Sequence, residues 1–255
     1  MEEFNMSISR DEVVKSFSTP IDNPLIPRFP VQFRKNEILT VLYRTDRAAI
    51  ERILPDPLEA VDDLVIVHFY HMTDAEWFGN YYESAIQVQV RLKGTDILGA
   101  YSPYLYLGND GAIAAGREIY GQPKKSGNPS IKFVDDLIVG KVERNGIDII
   151  TGTMAYKQRR SSREEMLSAI PFTTNINLKI IPHIDGTPAI HQLTARTFSN
   201  LVVHECWRGP ATMEIRPNAQ APVHNLPVRE MMDGYYWVCD FDLPMGEVIH
   251  DYLKS

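Results

Sequence analysis

With 255 residues, 44% of them hydrophobic, the chain can bury a substantial core, and no composition break, repeat or Ser/Gly-rich linker divides it, so one domain over 1–255 is expected. A formal net charge of −7, with no concentrated basic stripe, argues against nucleic acid as the partner. No run of about eighteen apolar residues can span a membrane, the first residues lack the basic flank and apolar stretch of a secretion signal, and the two cysteines, Cys206 and Cys239, cannot make a disulfide framework or a four-thiolate zinc site; a soluble cytoplasmic protein is expected.

In chain order, Ser9-Arg10-Asp11-Glu12 reads as a capping box, so a short helix follows it and ends before Pro20. Pro20, Pro24, Pro27 and Pro30 mark an extended arm that wraps the surface and is poorly suited to burial within one subunit. Thr45 can cap a second helix through Ile53, stopped by Pro55 and Pro57, and Ser162 with Glu165 marks a third. A terminal helix is expected over 244–253. Segments 37–44, 64–71, 84–92, 112–119, 147–157, 176–182 and 192–204 are mostly rich in β-branched residues and bounded by turn formers, and read as strands. Residues 85–92 alternate apolar and polar, as a strand with one wet face does. The result is an α+β domain around an antiparallel sheet or barrel with short peripheral helices.

The stretch Tyr120-Gly121-Gln122-Pro123-Lys124-Lys125-Ser126-Gly127 carries the chemistry. A lysine amine forms a Schiff base with a ketone only when neutral, and at an ordinary pKa near ~10.4 less than about one in a thousand is neutral at pH 7. Burial among apolar groups, or a second cation close by, disfavours the charged form. Lys124 and Lys125 are therefore both candidates, although neighbours on an extended segment face opposite sides, so Lys124 shares a face with Gln122 and Tyr120 while Lys125 can anchor the loop through a carboxylate.

Residues 112–127 resemble the signature of the acetoacetate decarboxylase family, and ordered matches extend along nearly the whole chain, among them Phe17-Ser18-Thr19-Pro20, Leu42-Tyr43-Arg44-Thr45-Asp46, Leu178-Lys179-Ile180-Ile181-Pro182 and Glu247-Val248-Ile249. The resemblance implies a closed antiparallel β-structure, a homo-oligomer of four or more subunits, no cofactor, and Lys124 as the Schiff-base residue in a central cavity. Activation of such a lysine by an apolar pocket or a neighbouring cation is the family's known device. Tyr81-Tyr82-Glu83-Ser84 matches the family's second active-site stretch, so Glu83 is the cavity carboxylate that shuttles protons and Tyr81 a substrate ligand.

The chain departs from the family's decarboxylases at three positions. Asn36 stands where they carry an arginine, although a shift of two residues would put Arg34 there; His68 stands where they carry a second glutamate; Gln122 replaces a tyrosine. These changes keep imine formation and favour aldol–dehydration or hydration of a 2-oxo acid such as pyruvate, with acetoacetate decarboxylation as the alternative and a non-catalytic ligand-binding barrel third. Asn36, His68, Gln122, Tyr120 and Tyr81 are the expected substrate ligands. His68 and His71 with Asp74 do not read as a metal site, because a spacing of three on a strand sends the imidazoles to opposite faces. Arg159-Arg160-Ser161-Ser162-Arg163 reads as a solvated loop.

Overall fold

The computed structural model describes residues 7–170 and 174–254. Helix α1 (Arg10–Lys15) forms as its capping box predicts: the Ser9 side chain accepts from the Glu12 amide, and the Glu12 carboxylate accepts from the Ser9 amide at 2.7 Å. The proline-rich arm packs on its own subunit instead of projecting from it. Ile26 is 2% exposed, and Phe17 and Phe29 lie against the core. Strand β1 (Val31–Arg44) leads to α2 (Arg47–Glu51). Asp46 holds the N-cap position, while the Thr45 hydroxyl donates to Pro227 O at 2.7 Å and ties the turn to a distant loop.

Long strands follow: β2 (Leu58–Ala75), β3 (Gly79–Leu92) and β4 (Leu98–Leu107). Residues 112–119, expected as a strand, are helical. Asn109 caps α3 (Asp110–Ala115) by accepting from the Ala112 amide at 2.8 Å, and an Ala-rich run favours helix. The helix widens into a π-turn (Gly116–Tyr120) that stops at Gly121, whose φ of 75° is left-handed. Next come β5 (Lys124–Ser126), β6 (Asn128–Val134), β7 (Leu137–Arg144), β8 (Ile147–Ala155) and the two-residue β9 (Arg159–Arg160). Helix α4 (Arg163–Ala169) begins at Ser162 as expected, its side chain accepting from the Glu165 amide. The basic cluster beside it is tied down: Arg208 donates to Glu165, Arg159 pairs with the same carboxylate, and Arg160 lies over Trp207.

The chain ends in β10 (Thr174–Pro182), β11 (Pro188–Thr197), β12 (Ser199–Ile215), β13 (Glu230–Leu243) and β14 (Glu247–Asp251). The terminal segment expected as a helix is thus a strand: Val248 and Ile249 are β-branched, and the β11 edge offers a partner. The segment expected over 192–204 divides between β11 and β12.

Among the described residues these strands form one mixed sheet, in the order β14-β11-β10-β4-β3-β2-β1-β13-β12-β8-β7-β6, with β5 on β4 and β9 on β12. The pairings β10–β4 and β4–β5 are parallel; the rest are antiparallel. The sheet does not close on itself, because β14 and β6 are its free ends, so the closed barrel is replaced by an open, folded sheet. Its β6–β8 end packs over the middle strands. The Phe69 ring of β2 lies on the bare backbones of Gly140 and Gly152, where a Cβ would come within 2.5 and 2.8 Å of it. Val65 and Val67 of β2, with Ile86 and Val88 of β3, fill this layer against Ile138, Val142 and Ile149. No helix among the described residues is long and apolar enough to cross a membrane.

Candidate active site

Lys124 sits on β5 opposite Leu105 of β4, and the alternation of a strand decides the fate of the doublet. Lys124 turns inward and is 7% exposed; Lys125 turns outward and donates to Gln220 O at 3.1 Å. Lys125, expected among the catalytic groups, does not line the cavity and anchors a loop through a backbone carbonyl instead of the expected carboxylate. Several contacts hold Lys124 in place. Arg117 donates to its carbonyl at 3.2 Å, its amide donates to Gln122 O at 2.8 Å, and the Gln122 amide donates to Gly116 O at 2.8 Å. Gly116 lets the π-turn pass against the lysine stem, since a Cβ there would lie 2.4 Å from Lys124 Cδ.

Glu83 of β3 is 6% exposed, and its Oε2 accepts from Lys124 Nζ at 3.0 Å. Burial on both sides makes this an ion pair without solvent screening. Tyr70 and Tyr81 flank it, and burial, reinforced by the Glu83 charge, raises both phenols well above their ordinary pKa, so they stay neutral donors.

These groups line a cavity of about 50 Å³, room for only a compact ligand. Gln122 reaches it from the lysine side, as the shared face predicted. Phe33, Met72, Phe198, Phe241 and Leu243 supply apolar walls. Gln87, expected on a wet face of β3, is buried: its amide donates to Ser102 Oγ at 3.0 Å and to Asn175 Oδ1 at 3.2 Å, and the face it shares with Glu83 and Tyr81 is the cavity wall.

Three other expected ligands lie off the cavity. Asn36 is buried beside a bulge of β1 and donates to Cys239 O at 3.2 Å; Arg34, the other candidate for that position, is exposed and pairs with Asp74. His68 lies one layer beneath, with Nδ1 2.9 Å from Thr40 Oγ1 and a hydrogen bond to Gln87, and burial pushes its pKa down to about 3, so it is neutral. Tyr120 donates to Pro244 O at 2.8 Å and presents its ring to Arg196. His71 faces the opposite side from His68 and bonds Glu37, as the strand spacing required, and among the described residues no three His, Cys, Asp or Glu groups stand ready to hold a metal ion.

Arg196 of β11 was not singled out from the sequence. It is 5% exposed, lines the cavity with Lys124 and Glu83, and lies opposite Asn175 across the β10–β11 pair. Its segment, Leu193-Thr194-Ala195-Arg196-Thr197, alternates apolar and polar like any half-buried strand, which puts Arg196 with Thr194 on the polar set, and the structure buries both faces.

The family described as acetoacetate decarboxylase (ADC) matches residues 18–253. An acetoacetate decarboxylase from Acidiphilium cryptum is 41% identical over 238 residues, covering 93% of this chain and 96% of that protein. A solved acetoacetate decarboxylase structure superposes with a TM-score of 0.90 at 36% identity, covering 97% of this chain and all of the other. The enduracididine biosynthesis enzyme MppR, complexed with pyruvate, has a TM-score of 0.78 at 17% identity over 93% of this chain and 98% of its own, and so shares the fold. The chain belongs to the acetoacetate decarboxylase family.

Proposed function

We propose that the protein decarboxylates a short 3-oxo acid of the acetoacetate type through an imine on Lys124. The observation that carries this reading is the buried Lys124–Glu83 contact of 3.0 Å in a cavity that admits a compact ligand. Glu83 is placed to take a proton from the lysine, freeing the amine to attack the ketone carbon. Loss of water from the carbinolamine gives an iminium. The bond from the α-carbon to the carboxylate then breaks, its electron pair flows to the iminium nitrogen, and carbon dioxide leaves. The enamine carbon takes a proton, for which Glu83 in its acid form is the donor, and water releases the ketone and the free lysine. Tyr70, Tyr81 and Gln122 are neutral donors around the reacting carbons, and the apolar walls favour charge dispersal as neutral carbon dioxide forms.

Relatives near 40% identity support decarboxylation over the pyruvate aldol–dehydration chemistry favoured by Asn36, His68 and Gln122. Of those three departures only Gln122 reaches the cavity directly, and the pyruvate-bound MppR is too distant in sequence to carry its reaction over. The test is to supply acetoacetate, measure carbon dioxide, and trap the imine with borohydride for peptide mapping. Carbon dioxide release with the adduct on Lys124, both lost in Lys124→Arg because guanidinium stays protonated to about pH 12, is expected. Product from pyruvate plus an aldehyde, with no carbon dioxide from acetoacetate, would overturn the reading.

A further inference from the structure

Arg196 is the one cavity cation that Glu83 does not hydrogen-bond. Among the described residues its buried Nε and Nη1 have no hydrogen-bond partner. The guanidinium carbon lies 5.1 Å from the centre of the Tyr120 ring and 4.4 Å from that of Phe198, faces that position the planar group without satisfying its N–H groups. Glu83 Oε2 is engaged by Lys124, and the nearby phenols of Tyr70 and Tyr81 are neutral. A buried cation with open donors is costly unless something completes it. The Glu83 charge favours the Arg196 cation but its Oε2 is taken by Lys124, so a compact anion presented beside Lys124 would satisfy the open donors.

We propose that Arg196 binds the carboxylate of the substrate and makes the site selective for oxo acids over neutral ketones. This rests on the reading of Lys124 as the imine-forming residue, which supplies the second anchor of the same ligand. It also gives Asn36 a physical account: with a guanidinium already on the β11 wall, the β1 position needs no cation and is tied into the sheet through Cys239 O. Burial, which works against the charge of Arg196, adds to the gain when an anion arrives.

The test compares borohydride trapping of acetoacetate with that of 2,4-pentanedione, a neutral diketone, in the native protein, Arg196→Gln and Arg196→Lys. Arg196→Gln is expected to lower the ratio of acid to diketone trapped by at least about tenfold and to raise KM for acetoacetate by a similar factor, the usual worth of a buried charge-assisted contact. Arg196→Lys should retain part of both, since it keeps a point charge without the planar fork. An unchanged ratio, or a fall in kcat at constant KM, overturns the proposal. Should Arg196→Gln fail to fold, Arg196→Lys is read on the same ratio, and no change there overturns it equally. If the native protein traps neither compound, the imine reading fails by itself, and butyrate binding by calorimetry decides for Arg196. Butyrate bound by the native protein and lost in the variant supports the proposal; equal binding by both, or by neither, overturns it.

Discussion

The two faces of β2 and β3 are built from alternate residues of the same strands, yet they are put to opposite uses. Val65, Val67 and Phe69, with Ile86 and Val88, face the folded-over β6–β8 layer and pack dry. Their neighbours His68, Tyr81, Glu83 and Gln87, with the half-buried Tyr70, face the lysine side and are polar. The dry face obtains its stability from area removed from water. The polar face is stable only because hydrogen bonds such as Gln87 to Ser102 and Lys124 to Glu83 satisfy what burial strips of water, and it keeps a cavity beside Lys124. A polar stripe on a strand therefore marks a face, not a solvent boundary.

Breaking the dry face should show the largest effect. Phe69→Ala removes the ring that covers Gly140 and Gly152, and a loss of about 3–5 kcal/mol in urea unfolding is expected, with turnover per folded molecule kept. Unchanged stability with lost turnover would blur the division of labour between the faces. On the other face, Glu83→Gln should slow turnover by roughly a hundredfold, the usual worth of a positioned acid–base group, and alter the unfolding midpoint far less than Phe69→Ala does. Equal damage to folding and turnover would make Glu83 a structural ion-pair partner.

His68 extends the contrast between the faces to pH. Its folded pKa, about 3, is depressed from an ordinary value near 6.5, so the unfolded chain binds the proton over this window and the folded one does not. The stabilisation is complete above pH 6.5 and is lost as pH falls towards 3, at up to about 1.4 kcal/mol per pH unit. His68→Gln should flatten this part of the stability–pH curve; an unchanged slope would assign the acid sensitivity to other groups. The smallest effect belongs to Lys125→Ala, expected within about twofold of native turnover because the side chain is exposed and its hydrogen bond is to a loop carbonyl, Gln220 O. A hundredfold loss there would restore Lys125 to the catalytic groups.

The sequence by itself carried the local chemistry: the capping residues Ser9 and Ser162, the middle of the long strands, and the lysine and glutamate stretches whose resemblance gave the family. Local signals suffice there because a cap acts over three residues and strand alternation over two. The tertiary structure decided everything that depends on what faces a residue. It turned Lys125 out, sent Asn36 and His68 behind the cavity wall, left the sheet open at β14 and β6, and drew the C-terminal segment onto the β11 edge. It also brought Arg196 to Lys124 and Glu83, three residues on β11, β5 and β3 that lie far apart in the chain. Periodicity fixes which residues share a face, but the fold of the sheet fixes whether that face meets water, a packed layer or a substrate.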